Sequence, residues 1–239
     1  MTYWLYLFSH VNILAFIVVV PALMGVVSLA LSIVLVPKLI RQSDLNSFVV
    51  YFGISYMLQG LMAWWWSPTD RTISVGFLES AINTGFLILT VKQVLTASVT
   101  IAAYIILILF LTKTRTGTAI RAAAQNKKAA QIVGINLGRI YYLVQVIAGM
   151  AAALAGVLLA LNYSFDPNTG ALWIGFLFLI VVLGSKGSVL GSLMGGVILG
   201  VTQAIVGLLV SQLWTTVVAF VILIVVLIIR PQGLLKGRI

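Results

Sequence analysis

The 239-residue chain contains no cysteine, one histidine and four acidic residues. Without cysteine, neither disulfides nor thiolate metal ligation can form. His10 stands near the start with no partner of metal-ligand type. There is no glycine loop followed by Lys-Ser/Thr to cradle a phosphate, no metal cluster and no nucleophile–base pair. An enzyme is therefore disfavoured, and no cofactor is expected. No carboxylate falls inside the clearest apolar runs, the nearest being Glu79. A proton- or sodium-coupled carrier usually needs one there. Ten-residue alternating segments are also missing, which removes a closed β-barrel. The longest water-facing pieces are about 25 residues, too short to bury a core of their own, so no soluble domain is expected.

What the chain has is oil. It is 62% hydrophobic and only 8% charged, with a mean hydropathy of +1.19. Its repeated apolar runs are each long enough to approach or cross about 30 Å of hydrocarbon. In lipid every backbone polar group must be satisfied internally. The expected fold is therefore an all-α integral membrane bundle, a single transmembrane domain over residues 1–239 with about seven spans. The runs lie at Asn12–Val36, with Pro21 inside as a kink, Phe48–Trp66, Val94–Thr112, Ile140–Leu161, Leu172–Leu183, Ser192–Val210 and Trp214–Ile229. Trp64–Trp66 form an interfacial aromatic anchor before the turn "SPTD". The mixed segment Arg71–Lys92, with its β-prone "FLILTV", reads as a short outer hairpin.

A balance of 14 basic against 4 acidic residues would suggest nucleic acid in a soluble protein. Here the basic residues fall mostly between apolar runs, where they set topology instead. Lys113, Arg115, Arg121, Lys127, Lys128 and Arg139 put six positive charges and no acid on the connection 113–139, which marks it as cytoplasmic. Lys38, Arg41 and the tail "RPQGLLKGRI" share that side if every span crosses once, and the loop holding Asp166 lies outside. The N-terminus then also lies outside. The opening "MTYWLYLFSHVN" lacks the basic n-region and cleavage site of a signal peptide. Two readings follow: the start inserts with partner chains, or a leading helix pair is missing.

The connection "GTAIRAAAQNKKAAQIVGIN" reads as a helix capped by Thr118, with interior Ala119–Val133 and a left-handed stop at Gly134. Arg121, Gln125 and Lys128 share a polar face. Ile120, Ala123 and Ala124 lie on another, with Ile132 and Val133 near its end. A slim alanine-faced helix suits a groove on another protein. Lying on anionic lipid is the competing reading, but that prefers bulkier apolar residues.

These residues resemble the cytoplasmic coupling loop of bacterial ABC-importer permeases of the branched-chain amino-acid type. The family pattern G-x-x-x-R-A-x-A-x-(D/N)-x-x-x-A-x-x-x-G-I-N is matched by Gly117, Arg121, Ala122, Ala124, Asn126, Ala130, Gly134, Ile135 and Asn136. The downstream "AGMAAALAGVLLALNYSFDPNTG", "VVLGSKGSVLGSLMGGVILGVTQA" and "RPQGLL" resemble later family segments in the same order, so the likeness covers roughly Leu29–Leu235. It implies a multi-pass permease of the bacterial cytoplasmic membrane that has no ATP site. Its loop helix would dock into cytoplasmic ATP-binding subunits. A second permease subunit, identical or homologous, and an extracytoplasmic substrate-binding protein would complete the importer. The implied substrates are branched-chain or other hydrophobic amino acids, with urea or a short amide as runner-up. An uncoupled channel or facilitator, and a truncated non-transporting permease, are the other classes. Gln125 stands where the family usually has Glu, a change that weakens a charge-assisted contact by about 1 kcal/mol. No "N-F-A-H-G"-like motif is present.

Glycine recurs every four residues at Gly187, Gly191 and Gly195, and again at Gly196 and Gly200. Gly149 and Gly156 form a similar stripe with Ala152 and Ala160. Such stripes allow close helix packing in lipid. The alternative is that Gly184–Gly191 is a non-helical, re-entrant crossing beside the translocation path. Lys186 is then a topology marker or a pathway charge. The loop "NYSFDPNTG", with Asn162, Asp166, Pro167 and Gly170, is an outer turn. It is a hairpin loop, or else part of the outer gate or a docking face for the binding protein.

Overall fold

The computed structural model describes residues 13–40, 42, 44–73, 76–83, 88–184 and 188–229. His10, Arg41, Lys186, Gly187 and the basic tail lie outside them. The elements run α1 (Ile13–Leu39), α2 (Asp44–Trp66), β1 (Ala81–Asn83), β2 (Ile88–Thr90), α3 (Val91–Lys113), α4 (Arg115–Gln125), α5 (Lys127–Ile132), α6 (Leu137–Asn162), α7 (Thr169–Gly184), α8 (Val189–Leu209) and α9 (Gln212–Ile229). Five helices are long and apolar enough to cross a membrane: α1, α2, α3, α6 and α8. Two shorter apolar helices, Thr169–Gly184 and Trp214–Val226, complete the set expected from the runs. The protein is a multi-pass membrane protein of the all-α class, its one short β-hairpin lying between spans. Its 16-residue α7 reaches only about 24 Å, short of a full hydrocarbon thickness.

The chain divides into two compact units, Met1–Pro167 and Asn168–Ile239. In the first, α1 and α6 pack along one another. Phe16 and Val20 meet Val157, Ala160 and Leu161, and Ile73 and Leu78 of the outer connection cover that end. α1 continues as one helix through Pro21 and Pro37. Farther along, a Cβ on Gly149 would sit 2.5 Å from the Ser28 Cβ, and Ser28 Oγ donates to the Gln145 carbonyl at 2.7 Å. Gly149 is therefore what lets the two backbones approach closely enough for that bond. Gly156 has nothing within 4 Å of a Cβ and faces open space.

The segment before α3 is a hairpin, as its residue types indicate. β1 and β2 pair antiparallel in the register Ala81↔Thr90, Ile82↔Leu89, Asn83↔Ile88, preceded by a 3₁₀ turn at Gly76–Glu79. α3 begins at Val91, three residues ahead of the apolar run's apparent start. The Gln93 side chain accepts from the Thr90 N–H at 3.1 Å and satisfies an otherwise orphaned donor.

The connections of the first unit gather at two opposite ends. Arg71 forms an antiparallel bridge with Phe165, and its guanidinium donates to the Trp66 carbonyl. The connections assigned outside thus gather at one end. At the opposite end Ile40, next to the Lys38 turn, packs against the cluster of Ala123, Ala130 and Leu137. The two basic connections share that end.

In the second unit α7, α8 and α9 pack mutually around Leu179, Leu183, Leu199 and Ala219.

Candidate functional site

The basic connection departs from its expected form in two ways. The helix begins at Arg115 rather than after Thr118, because Thr114 is the N-cap: its Oγ1 accepts from the Gly117 N–H at 3.0 Å. Thr118 cannot cap, since its own N–H is already bonded to the Thr114 carbonyl. The helix also breaks at Asn126, whose backbone is extended at φ −151°, ψ 103°. Asn126 restarts it, with Oδ1 accepting from the Ala129 N–H at 3.1 Å. The result is two short helices, α4 and α5, in place of one. Gly134 does adopt the left-handed conformation, φ +85°, and Asn136 caps α6 through its Oδ1 and the Arg139 N–H at 3.2 Å. Competing side-chain hydrogen bonds decide each boundary here.

Gly117 is buried where α3 turns into α4, and a Cβ there would lie 2.6 Å from the Leu111 Cα. Ala123 and Ala130 face inward onto Leu137, with Ile40, Ile135, Ile140 and Tyr141 around them. Lys127 Nζ stands 5.9 Å above the Tyr141 ring. Arg121 and Ala122 are half-buried. Arg121 Nε is buried and has no hydrogen-bond partner. Ala124, Gln125, Asn126, Lys128, Gly134 and Asn136 are exposed. Ile132 and Val133 are 86% and 75% exposed. Two large aliphatic side chains thus project into water from a connection whose small residues are anchored to the ends of α1 and α6.

The glycine-rich crossing is shorter than Gly184–Gly191. α7 runs through Gly184 and α8 starts at Val189, with Ser188 Oγ accepting from the Gly191 N–H at 3.0 Å. Gly191 belongs to the first turn of α8, which is why it reads as helix rather than crossing. Gly184, Gly191 and Gly195 are buried at the α7–α8 contact. A Cβ on Gly191 would meet the Gly184 carbonyl, and one on Gly195 would sit 2.8 Å from the Ile180 oxygen. Gly196 and Gly200 have nothing within 4 Å of a Cβ and take no part in this contact.

On the outer connection, Asn162 Nδ2 donates at 2.8 Å to both Thr96 Oγ1 and the Leu158 carbonyl, which ties α6 to α3. Asp166 and Pro167 end the first unit, and Gly170 lies in the first turn of α7. Among the described residues no group of three or more His, Cys, Asp or Glu could hold a metal ion.

Residues 2–227 match the family model described as branched-chain amino acid transport system / permease component. The chain is 38% identical over 125 residues, 52% of its length, to the high-affinity branched-chain amino acid transport system permease protein BraD of Pseudomonas aeruginosa. It is 38% identical over 104 residues, 43% of its length, to LivH of Escherichia coli, of the same description. Over 95 residues, 38% of its length, it is 37% identical to the galactofuranose transporter permease protein YtfT of E. coli. The matches span 40%, 34% and 28% of those relatives' own lengths. No solved structure matches the chain. These relatives are named as transport permeases, not enzymes. The chain belongs to the family of branched-chain amino acid transport permease components.

Proposed function

We propose that this chain acts as one permease domain of an ATP-driven importer in the bacterial cytoplasmic membrane. It carries branched-chain or other hydrophobic amino acids, and cytoplasmic ATP-binding subunits supply the energy. A second permease subunit and an extracytoplasmic binding protein complete the machine. The observation that carries this reading is the two-sided construction of α4 and α5. Ala123 and Ala130 fasten the connection to α1 and α6. Ala124, Gln125, Lys128, Ile132 and Val133 remain free on the other side. A helix that transmits force needs both properties: a rigid attachment to the membrane helices and an open face for the motor.

Arg121 supports the same reading. An unsatisfied buried donor costs about 1–3 kcal/mol, and an acceptor from a docked subunit would remove that cost. In this reading Gly117, Ala122, Ala130 and Ile135 hold the connection in shape, while Arg121, Ala124, Gln125 and Asn126 meet the ATPase. Gly149, Gly184, Gly191 and Gly195 set helix contacts rather than solute contacts. Asn162, Asp166 and Pro167 belong to the outer face that the first unit offers to the binding protein. The sugar permease among the relatives makes a neutral polar solute the second reading for the substrate.

Co-purification tests the partner directly. ATP-binding subunits of a branched-chain amino-acid system, co-expressed with this chain and a second permease, should be retained through detergent extraction and affinity capture. If none is retained even with the second permease present, the importer reading is wrong.

A further inference from the structure

The least hydrophobic of the five long membrane helices is α2, and four of its polar side chains gather on one side, with Asn46 and Tyr56 exposed elsewhere. Ser47, Tyr51, Ile54, Ser55, Gln59 and Ala63 are half-buried, whereas the remaining residues from Leu45 to Trp65 are exposed. Spacings of three and four put the half-buried set on one helix face. Four of those six side chains are polar, and none is charged. The exposed side carries Phe48, Val49, Phe52, Met57 and Leu61, as a lipid-facing surface should.

Close helix packing does not account for the polar face, because among the described residues no other element makes an extensive contact along α2. Midway along this face Tyr51 Oη makes a long hydrogen bond to Gln145 Oε1 of α6 at 3.4 Å. Ser55 Oγ is turned onto its own helix, at the Phe52 carbonyl. The Gln59 amide and Gln145 Nε2 have no hydrogen-bond partner among the described residues. Amide groups left unpaired in hydrocarbon are strongly disfavoured, and polar groups at membrane depth face a bundle interior or water. From Ser47 to Gln59 the face rises about 18 Å, more than half of a hydrocarbon core of about 30 Å.

We propose that the inward face of α2 (Ser47, Tyr51, Ser55 and Gln59), together with Gln145 of α6, lines a water-accessible path for a net-neutral polar solute. This rests on the permease reading and names the side chains the solute would meet. No Asp, Glu, Lys or Arg occurs between Leu45 and Trp66 or between Ile140 and Asn162. A net-charged solute would find no counter-ion there. Hydroxyls and amides exchange hydrogen bonds with a zwitterion or a polyhydroxyl compound at several weak sites, and weak multi-site binding lets a solute leave as readily as it enters.

The chain's lack of cysteine makes this testable one position at a time. Single Ser55→Cys and Gln59→Cys variants, with Met57→Cys and Leu61→Cys as outward controls, are exposed in intact membranes to a water-soluble trimethylammonium methanethiosulfonate. The cysteine thiolate, which forms in water and not in lipid, attacks the reagent's thiosulfonate sulfur and expels methanesulfinate. The inward pair should label about tenfold faster than the outward pair. The Ser→Cys change is nearly isosteric and leaves folding undisturbed. Equal or slower labelling of the inward pair would mean that protein or lipid seals the face, and the path would be excluded. ATPase retention is a separate readout, so the path can fail while the importer reading stands.

Discussion

Replacing Gly191 by alanine should destabilise the second unit by at least about 2–3 kcal/mol, whereas the same change at Gly196 should stay within about 0.5 kcal/mol. The two glycines lie five residues apart on α8 and face different surroundings. A methyl group on Gly191 would press into the Gly184 carbonyl group, and a Cβ on Gly184 would land 2.5 Å from the Ser192 nitrogen. Both obstacles are backbone, so a side-chain rotation cannot relieve them. The helices would have to separate, and the contact of Gly195 with the Ile180 carbonyl lies immediately beyond. Separation also opens the packing of Leu179 and Leu183 on Leu199, residues that are 0%, 1% and 6% exposed. Gly196 meets nothing within 4 Å, and alanine is the better helix former there. Thermal unfolding in detergent measures both variants. Equal melting temperatures would show that the glycine contact does not hold α7 to α8.

The second large effect separates folding from docking. Ala124→Asp should leave the chain folded yet weaken ATPase binding by about 100-fold or more, the equivalent of about 2.8 kcal/mol. Ala124 is exposed, so a carboxylate there stays hydrated in the free chain. Once docked it is desolvated without a partner. Ala123, its neighbour in sequence, is 7% exposed and packs in the Ala130–Leu137 cluster. Ala123→Asp should therefore lower thermal stability whether or not an ATPase is present. Capture of the ATPase by each variant, read beside its melting temperature, distinguishes the two roles. Full retention by Ala124→Asp would take this face out of the interface.

What could be read from the sequence followed from length and charge. Runs such as Phe48–Trp66 and Ile140–Leu161 are long enough to span the membrane and are bounded by Trp or Arg, so their centres were legible. The ends were harder, because side chains compete for the same backbone donors. Thr114 and Thr118 are equally good capping residues by type, and the fold selects Thr114, whose Oγ1 takes the Gly117 N–H beside the close approach of Gly117 to Leu111. Asn126 was visible as a pattern position but not as a helix break, since the alanines on both sides favour continuity. The alanine face also concealed a division: Ala123 and Ala130 are spent on internal packing, and Ala124 is not. In α2 the serines, Tyr51 and Gln59 are scattered through an apolar run. They become one face only when it is known which side turns inward.

In the proposed importer, ATP hydrolysis on a separate subunit drives solute through this chain. Uptake of radiolabelled leucine into proteoliposomes containing the chain and a second permease, with binding protein outside and ATPase subunits inside, tests it most directly. The account predicts accumulation that requires both ATP and the ATPase and is lost in Ala124→Asp. Leucine flux of the same size without ATP, or without the ATPase, would contradict it and identify the chain as an uncoupled facilitator.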